Sequence, residues 1–350
     1  MIHFFRRIRK SLLTENRFTN YLLYAIGEIM LVVIGILIAL QINNWNEQNK
    51  IDQNNRVKLN SVQQELLTNL KTADLVISET NQKLSGINRV LYDTLTVDDY
   101  LERGSGWVLR TLMLSVTVFT PVTESYNSLI LSQDNLSDSY NGIINNLNQI
   151  YVKSYKFIDL SNKGQQAIYF REVEHLSNSY SWYSDVNTNA RNLNEHHIQY
   201  LLTNPFYKNR VSEMKTMANA MNQIAKIFKH QSIQTYKEIS RLIDQNIEEP
   251  MILNAYYRPT EDEISLMISS FSNVSLGGSD LKILAHENTL YLDYLPSGKL
   301  EMFFTDPHSF YVMPSGDEYI IEYAFEKDYS KVYSMSSSRR VFTYKKIESE

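Results

Sequence analysis

The sequence predicts a single-pass membrane protein in which an all-α antiparallel helical bundle is followed by a small all-β domain, a meander or barrel-like sheet. Three observations carry this reading. Tyr21–Leu40, YLLYAIGEIMLVVIGILIAL, is a run of about 20 mostly apolar residues, enough to cross the ~30 Å hydrocarbon core as a helix. Between Leu59 and Ile247 several long stretches carry apolar residues at spacings of three, four or seven. From about Glu263 short runs rich in Tyr, Phe, Val and Ile alternate with turn signals. The expected division is 1–20, a cytoplasmic basic amphipathic segment; 21–42, a transmembrane helix; 43–250, a periplasmic helical bundle; and 251–350, a C-terminal β-domain.

The first element rests on a balance of insertion energies. The Leu, Ile and Val residues of the run, each worth roughly −0.3 to −0.6 kcal/mol, outweigh Glu28 at roughly +2.5 to +3.5 kcal/mol. Tyr21 and Tyr24 at one end and Trp45 at the other suit the two interfaces. Arg6, Arg7, Arg9, Lys10 and Arg17 precede the run, against only Lys50, Arg56 and Lys58 within a comparable distance after it, which predicts a cytoplasmic N-terminus with the bulk of the chain across the membrane. Ala39-Leu40-Gln41 is a poor cleavage site, so an uncleaved signal-anchor is expected. Before it, Ile2, Phe4, Phe5, Ile8, Leu12 and Leu13 can share one side of an interfacial helix. Within the run, Ala25, Glu28, Val32, Gly35, Ala39 and Ile42 follow a 3-4-3-4-3 spacing and fall on one face. Small residues allow close helix approach and a polar group hydrogen-bonds across the contact, so this face is the expected helix–helix interface, with a second copy or an envelope protein as partner and the lipid bilayer around it. The competing reading has Glu28 reaching toward the headgroups near Arg17.

The polar stretch Asn43–Asn55 contains no Gly or Pro, so the helix is free to run on into the bundle. Leu59, Val62, Leu66, Leu70, Ala73, Ile77, Leu84, Ile87, Leu91 and Leu95 form the stripe of the first bundle helix. Thr96–Gly106 reads as a connection, Trp107–Phe119 as a helix interrupted by Pro121, and Glu124–Leu131 as a further helical piece. A cap at Ser137 or Asp138 opens a helix through Ile143, Leu147, Ile150 and Ile158 toward Leu176. Asn178–Asn194 reads as a loop, His196–Leu202 as a short helix, and Tyr207 to about Ile247 as the cleanest helix, ended by Pro250. About four main helices result, with the methionines near the last stripe filling core. In the β-domain the expected strands are Leu281–Ala285, Thr289–Leu295, Leu300–Thr305, Phe310–Met313, Tyr319–Phe325, Lys331–Met335 and Val341–Lys345, separated by Gly277-Gly278, Pro296-Ser297-Gly298, Asp306-Pro307 and Pro314-Ser315-Gly316.

Two resemblances accompany these readings. The opening FFRRIRKSLLTENRFTNYLLYAIGEIMLVVIGILIALQINNWNE resembles an uncharacterised family of membrane-anchored proteins of Gram-negative bacteria, known only as a domain of unknown function; TPVTESYNSLI and the helix after NPFYKNR are similar to the same family. That implies inner-membrane anchoring and a periplasmic helical domain, and no activity. LYLDYLPSGKLEMFF, FYVMPSGDEYIIEYAFEKD and VFTYKKI resemble the small lipocalin-like β-domain appended to bacterial serine hydrolases, which implies an accessory or binding role.

No catalytic constellation, cofactor motif or metal site stands out. The net charge of −5 and pI of about 5.9 give no footprint for nucleic acid, and with no cysteine there is no thiol chemistry. Ser212-Glu213-Met214-Lys215 matches Ser-x-x-Lys and Ser125-Tyr126-Asn127 resembles its companion, but in reversed order, without Lys-Thr-Gly and on helices. Glu195-His196-His197 is the densest metal-like cluster, yet adjacent helical side chains point about 100° apart. These histidines, with His175, His230, His286 and His308, are expected on the surface. Gly104-Ser105-Gly106 and Gly277-Gly278 lack a phosphate-loop frame and read as turns. Tyr291, Tyr294, Tyr311, Tyr319, Tyr323 and Tyr344 either line a ligand groove or are ordinary sheet tyrosines. The expected role is non-enzymatic: a scaffold or accessory subunit of the envelope, with a periplasmic ligand sensor as the alternative and an envelope hydrolase behind it.

Overall fold

The computed structural model describes residues 18–132, 136, 140–188, 193–243, 251–253, 256–275, 279–286, 289–294, 298–314, 319–336 and 339–347. The basic segment 1–17, the Ser137/Asp138 cap, Ile247, Pro250, Gly277-Gly278 and the tips Pro296-Ser297 and Ser315-Gly316 lie outside the described residues, as do the side chains of Tyr21, Tyr24 and Tyr294.

One helix, α1 (Phe18–Tyr92), runs for 75 residues without interruption, about 110 Å at 1.5 Å per residue. The absence of Gly and Pro from 43–55 is what lets the apolar and amphipathic halves join as one rod. In its first half Leu31, Ile34, Leu37 and Ile42 are all more than half exposed. It is the one described helix long and apolar enough to cross a membrane. In its second half the buried stripe is wider in chemistry than the apolar pattern suggests. Asn55, Leu59, Val62, Leu66, Asn69, Ala73, Val76, Thr80, Lys83, Ile87 and Val90 alternate at four and three residues, and every one is buried.

After α2 (Val97–Leu101) and α3 (Ser105–Thr111) the chain turns through 112–114 and then runs without helix or strand from Ser115 to α4 (Glu124–Ile130). Two expectations need correction here. The 96–106 connection contains α2, opened by the Thr96–Asp99 capping box. The helix expected to reach Phe119 ends at Thr111, because Val116, Thr117 and Val118 are β-branched and the Thr117 and Phe119 backbone finds side-chain partners in Gln165 and Asn162. Next, α5 (Asn141–Asn148), one wide π turn (Gln149–Ser154) and α6 (Tyr155–Ser179) form one continuous rod. The expected 178–194 loop holds α7 (Tyr183–Thr188), with Tyr183 and Val186 buried. Helix α8 (Glu195–Thr203) is capped by Asn194, and α9 (Tyr207–Leu242) follows. There are thus three long rods among the described residues rather than four.

Helix α9 lies antiparallel between the other two. Against α1, Asn222 bonds Thr80 and Lys215 bonds Tyr92, while Gln63 reaches back to the Tyr236 carbonyl and Ser240. Against the α5–α6 rod, Arg210 meets Glu172 of α6 and Gln231 meets Ser154 of the π turn. Val211, Met214, Ala218, Met221, Ala225 and Phe228 are fully buried along it.

The C-terminal part is a closed eight-stranded barrel in which every strand pairs antiparallel with the next: β1 (Ser270–Asn273), β2 (Leu281–His286), β3 (Thr289–Tyr294), β4 (Gly298–Asp306), β5 (Ser309–Val312), β6 (Ile321–Phe325), β7 (Lys331–Ser336) and β8 (Arg339–Lys346). Phe271 opposite Lys346 closes the ring. Strand β1 and the preceding α10 (Glu261–Met267), with its Thr260–Glu263 capping box, were not expected. Inward residues Phe271, Ile283, Leu292, Met302, Phe304, Phe310, Val312, Phe325 and Val332 pack into one core that Met267 joins from α10. The interior is filled with side chains. Outward Phe303 and Tyr311 instead pack against the helices, alternating with their inward neighbours as the pleat requires.

Candidate functional site

A concavity of about 680 Å³ at the far end of α1 sits among α1, α3, the extended strap after it, α6, α7 and α8. That is within the range of small-molecule sites. Lys83 lies about 60 Å along α1 from Ile42, counting 1.5 Å per residue. Its walls are Trp107, Val108, Leu112, Tyr169, Tyr183 and Val186; its charged residues are Glu79, Lys83 and Arg110.

Lys83 is 6% exposed because it occupies a core position of the α1 stripe. Its Nζ donates to the Ser115 carbonyl at 2.5 Å. Burial pulls its pKa down to about 8, with Glu79 one turn earlier opposing the shift. Arg110 donates from Nη1 to the Tyr100 carbonyl, and its buried Nε has no hydrogen-bond partner among the described residues. His197 is 4% exposed; burial, and then the charge of Arg110, lower its pKa to about 4. The imidazole is therefore neutral at neutral pH, and the pocket carries two cations against one carboxylate.

The strap wall is held by side-chain amides that mimic a neighbouring strand. Gln165 donates to the Thr117 carbonyl at 3.1 Å and accepts its N–H at 3.4 Å. Asn162 does the same for Phe119 at 2.8 and 3.1 Å, and Asn69 for Val122 at 2.8 Å each way. Carboxylate oxygens of Glu65 then accept the Ser125 and Tyr126 N–H groups, satisfying the start of α4. The π turn points Tyr151 into this layer, where it stacks on Tyr126 with centroids 4.7 Å apart and accepts from Asn69 at 3.1 Å.

Behind the pocket, Trp182 lies over His197 at 5.3 Å and leads to a buried polar cluster. Glu172, 1% exposed, takes the Tyr200 hydroxyl at 2.7 Å and pairs with Arg210 Nε at 2.6 Å. Burial first, and then Glu172, hold the Tyr200 hydroxyl protonated. This pins α6, α8 and α9 together.

The six residues of the expected interface, Ala25, Glu28, Val32, Gly35, Ala39 and Ile42, all lie on α1, with Val32 and Ile42 55% and 60% exposed. A Cβ added at Gly35 would meet nothing within 4 Å. Of the other candidates, Lys215 of Ser-x-x-Lys bonds the Tyr92 hydroxyl at 3.0 Å, and Ser125 is engaged through its backbone by Glu65. His196 is exposed while His197 is buried, as the 100° offset requires. The expectation of surface histidines fails for His197 and for His230, both placed on buried faces of their helices. Among the described residues no group of three or more His, Asp or Glu could hold a metal ion. The sheet tyrosines do not converge: Tyr323 and Tyr344 fill the barrel core, Tyr311 faces the helices and Tyr319 is 51% exposed.

Sequence reasoning missed two sites: the pocket, and the seam between helices and barrel. In the seam His230 Nδ1 lies 2.9 Å from the Tyr256 hydroxyl and 3.3 Å from that of Tyr311, with Phe303 edge-on at 4.3 Å. Lys226 pairs with Glu322 across it. The available signal was polar residues at core positions of an apolar stripe, Lys83 on α1 and His230 on α9.

Fold and site together define a helical protein with, among the described residues, one helix long and apolar enough for a membrane, and a side-chain-filled barrel docked on its helices. More particularly, residues 28–198 match a family described as a family of unknown function (DUF6090). The match covers just under half of the 350 residues, including TPVTESYNSLI, and ends before NPFYKNR, α9 and the barrel. Neither the curated proteins nor the solved structures gave a match.

Proposed function

We propose that the chain is a membrane-anchored interaction protein of the cell envelope: a signal-anchor in the inner membrane carrying a periplasmic helical bundle and barrel that it presents to a partner. The carrying observation is α1, in which 75 residues pass without a break from an exposed apolar half into the core of the helical region. A break would permit independent motion; a continuous rod transmits position from the bilayer to the pocket end. The Ala25, Glu28, Val32, Gly35, Ala39 and Ile42 face would then seat a second copy or an envelope protein, with Glu28 hydrogen-bonding across the contact. Gentle detergent co-purification tests this, comparing wild type with Glu28→Leu by mass spectrometry. Loss of a specific partner or oligomer in the variant, at unchanged membrane insertion, supports the reading; an identical lone monomer in both contradicts it.

A second reading, a ligand sensor, is favoured by one observation: Glu79, Gln82 and Lys83, which line the pocket, belong to the same helix. A partner in the cytoplasm would read the signal.

A further inference from the structure

We propose that the pocket among α1, α3, α6, α7 and α8 binds a small organic anion with a flat apolar body, a carboxylate on an aromatic or similarly planar frame. The inference concerns the pocket alone and does not depend on association through Glu28.

Three features of the cavity specify that class. First, its charge: Lys83 and Arg110 face Glu79, so the lining carries an excess positive charge within a chain whose net charge is −5. An excess cation in a concave, partly desolvated wall is the arrangement that attracts an anion. Second, its unused donors. An ammonium has three N–H groups, and for Lys83 the Ser115 carbonyl takes one. Arg110 gives Nη1 to Tyr100, and its Nε has no hydrogen-bond partner among the described residues. The Arg110 Nε is enclosed by protein and out of a ligand's reach, so the contact offered to a carboxylate comes from the Lys83 ammonium beside the Arg110 charge. Third, the walls. Trp107, Tyr169 and Tyr183, with Val108 and Val186, offer flat and apolar surface for the rest of the ligand. His197 is kept neutral by burial and by Arg110, so the charge of the lining rests on Lys83, Arg110 and Glu79.

The strap makes the site a shaped one. Ser115, Val116 and Thr117 form one wall, and the Lys83 and Gln165 hydrogen bonds fix their backbone. The cations are thereby preorganised rather than gathered by the ligand.

The test uses the full chain in detergent and isothermal titration calorimetry with 2-naphthoate, set against its cationic and neutral counterparts, 2-naphthylmethylamine and 2-naphthylmethanol. The expected result is naphthoate binding at least about tenfold tighter than either, the factor expected of one charge-assisted contact. Lys83 and Arg110 are partly structural, so the charge test is made at Gln82, an exposed lining residue. Gln82→Glu is expected to weaken naphthoate binding about two- to fivefold and Gln82→Lys to strengthen it by a similar factor. Opposite shifts from one exposed position cannot come from misfolding. Trp107→Ala, removing a wall, is expected to weaken binding of naphthoate and of the neutral alcohol alike. Absence of naphthoate binding at millimolar ligand, equal binding of all three probes, or a preference for the amine overturns the proposal.

Discussion

Acid should loosen the barrel from the helices through His230. The imidazole is 6% exposed and wedged against Tyr256, Phe303 and Tyr311, and burial lowers its pKa from 6.5 to about 4. The groups around it on the packed elements are Lys226 paired with Glu322, Lys229 paired with Asp74, and the two tyrosine hydroxyls. The pairing leaves no net charge to assist protonation. The unfolded chain therefore takes up the proton first as pH falls. The stabilisation is fully present above 6.5 and is lost progressively on acidification toward 4. For those two values the difference at pH 5 amounts to about 2 kcal/mol for this one histidine. Urea unfolding of the full chain in detergent, followed at pH 7 and pH 5 by tryptophan fluorescence, measures it. Between these pH values wild type should lose about 2 kcal/mol more than His230→Phe, which fills the seam but cannot titrate. Comparing the two differences cancels every other titrating group. An identical pH response of the two proteins would refute the reasoning.

Other outcomes follow from the same packing. Asn69→Ala removes both hydrogen bonds to Val122 and the one to Tyr151 from a fully buried position, and should cost roughly 2–5 kcal/mol in the same unfolding assay. Gly106→Ala would set a Cβ 2.4 Å from the Tyr100 carbonyl oxygen, so the α2–α3 turn must shift; a loss of roughly 1–3 kcal/mol is expected, whereas Gly35→Ala, in a helix interior with open space around it, should cost no stability. Glu28→Leu should leave membrane insertion intact while reducing co-purified partner or oligomer, as quantified by mass spectrometry.

Much of this architecture is legible in the sequence. Seven of the eight strands lie where turn-bounded runs of Tyr, Phe, Val and Ile place them, because a closed meander uses local pairing and each tight turn announces the next strand. The stripes of α1 and α9 are equally plain, since long amphipathic helices average out individual exceptions. What escapes is what depends on distant partners. Val116–Val118 sit beside a helical segment and look able to continue it, yet Gln165, Asn162 and Asn69, far away in sequence, supply a strand-like edge. Asn69 and Lys83 read as polar interruptions when only apolar residues are counted. Their four-three phase with Leu66, Ala73, Val76 and Ile87 assigns them to the core instead. The pocket hides for the same reason. Its lining is drawn from five helices and the strap, and its lysine looks like any surface lysine until its helical phase is counted.

The central proposal, association through one face of the apolar half of α1, has a direct measurement, because the chain has no cysteine. Single cysteines at Val32, Gly35 and Ala39, and separately at Met30, Val33 and Leu37 on the opposite side of the helix, would be labelled in intact membranes with a thiol-directed photo-cross-linker. Protein adducts, whether with a second copy or with another protein, should form from the first set and fall away in the second and in Glu28→Leu. Equal adducts from both sets, or none from either, would contradict the account.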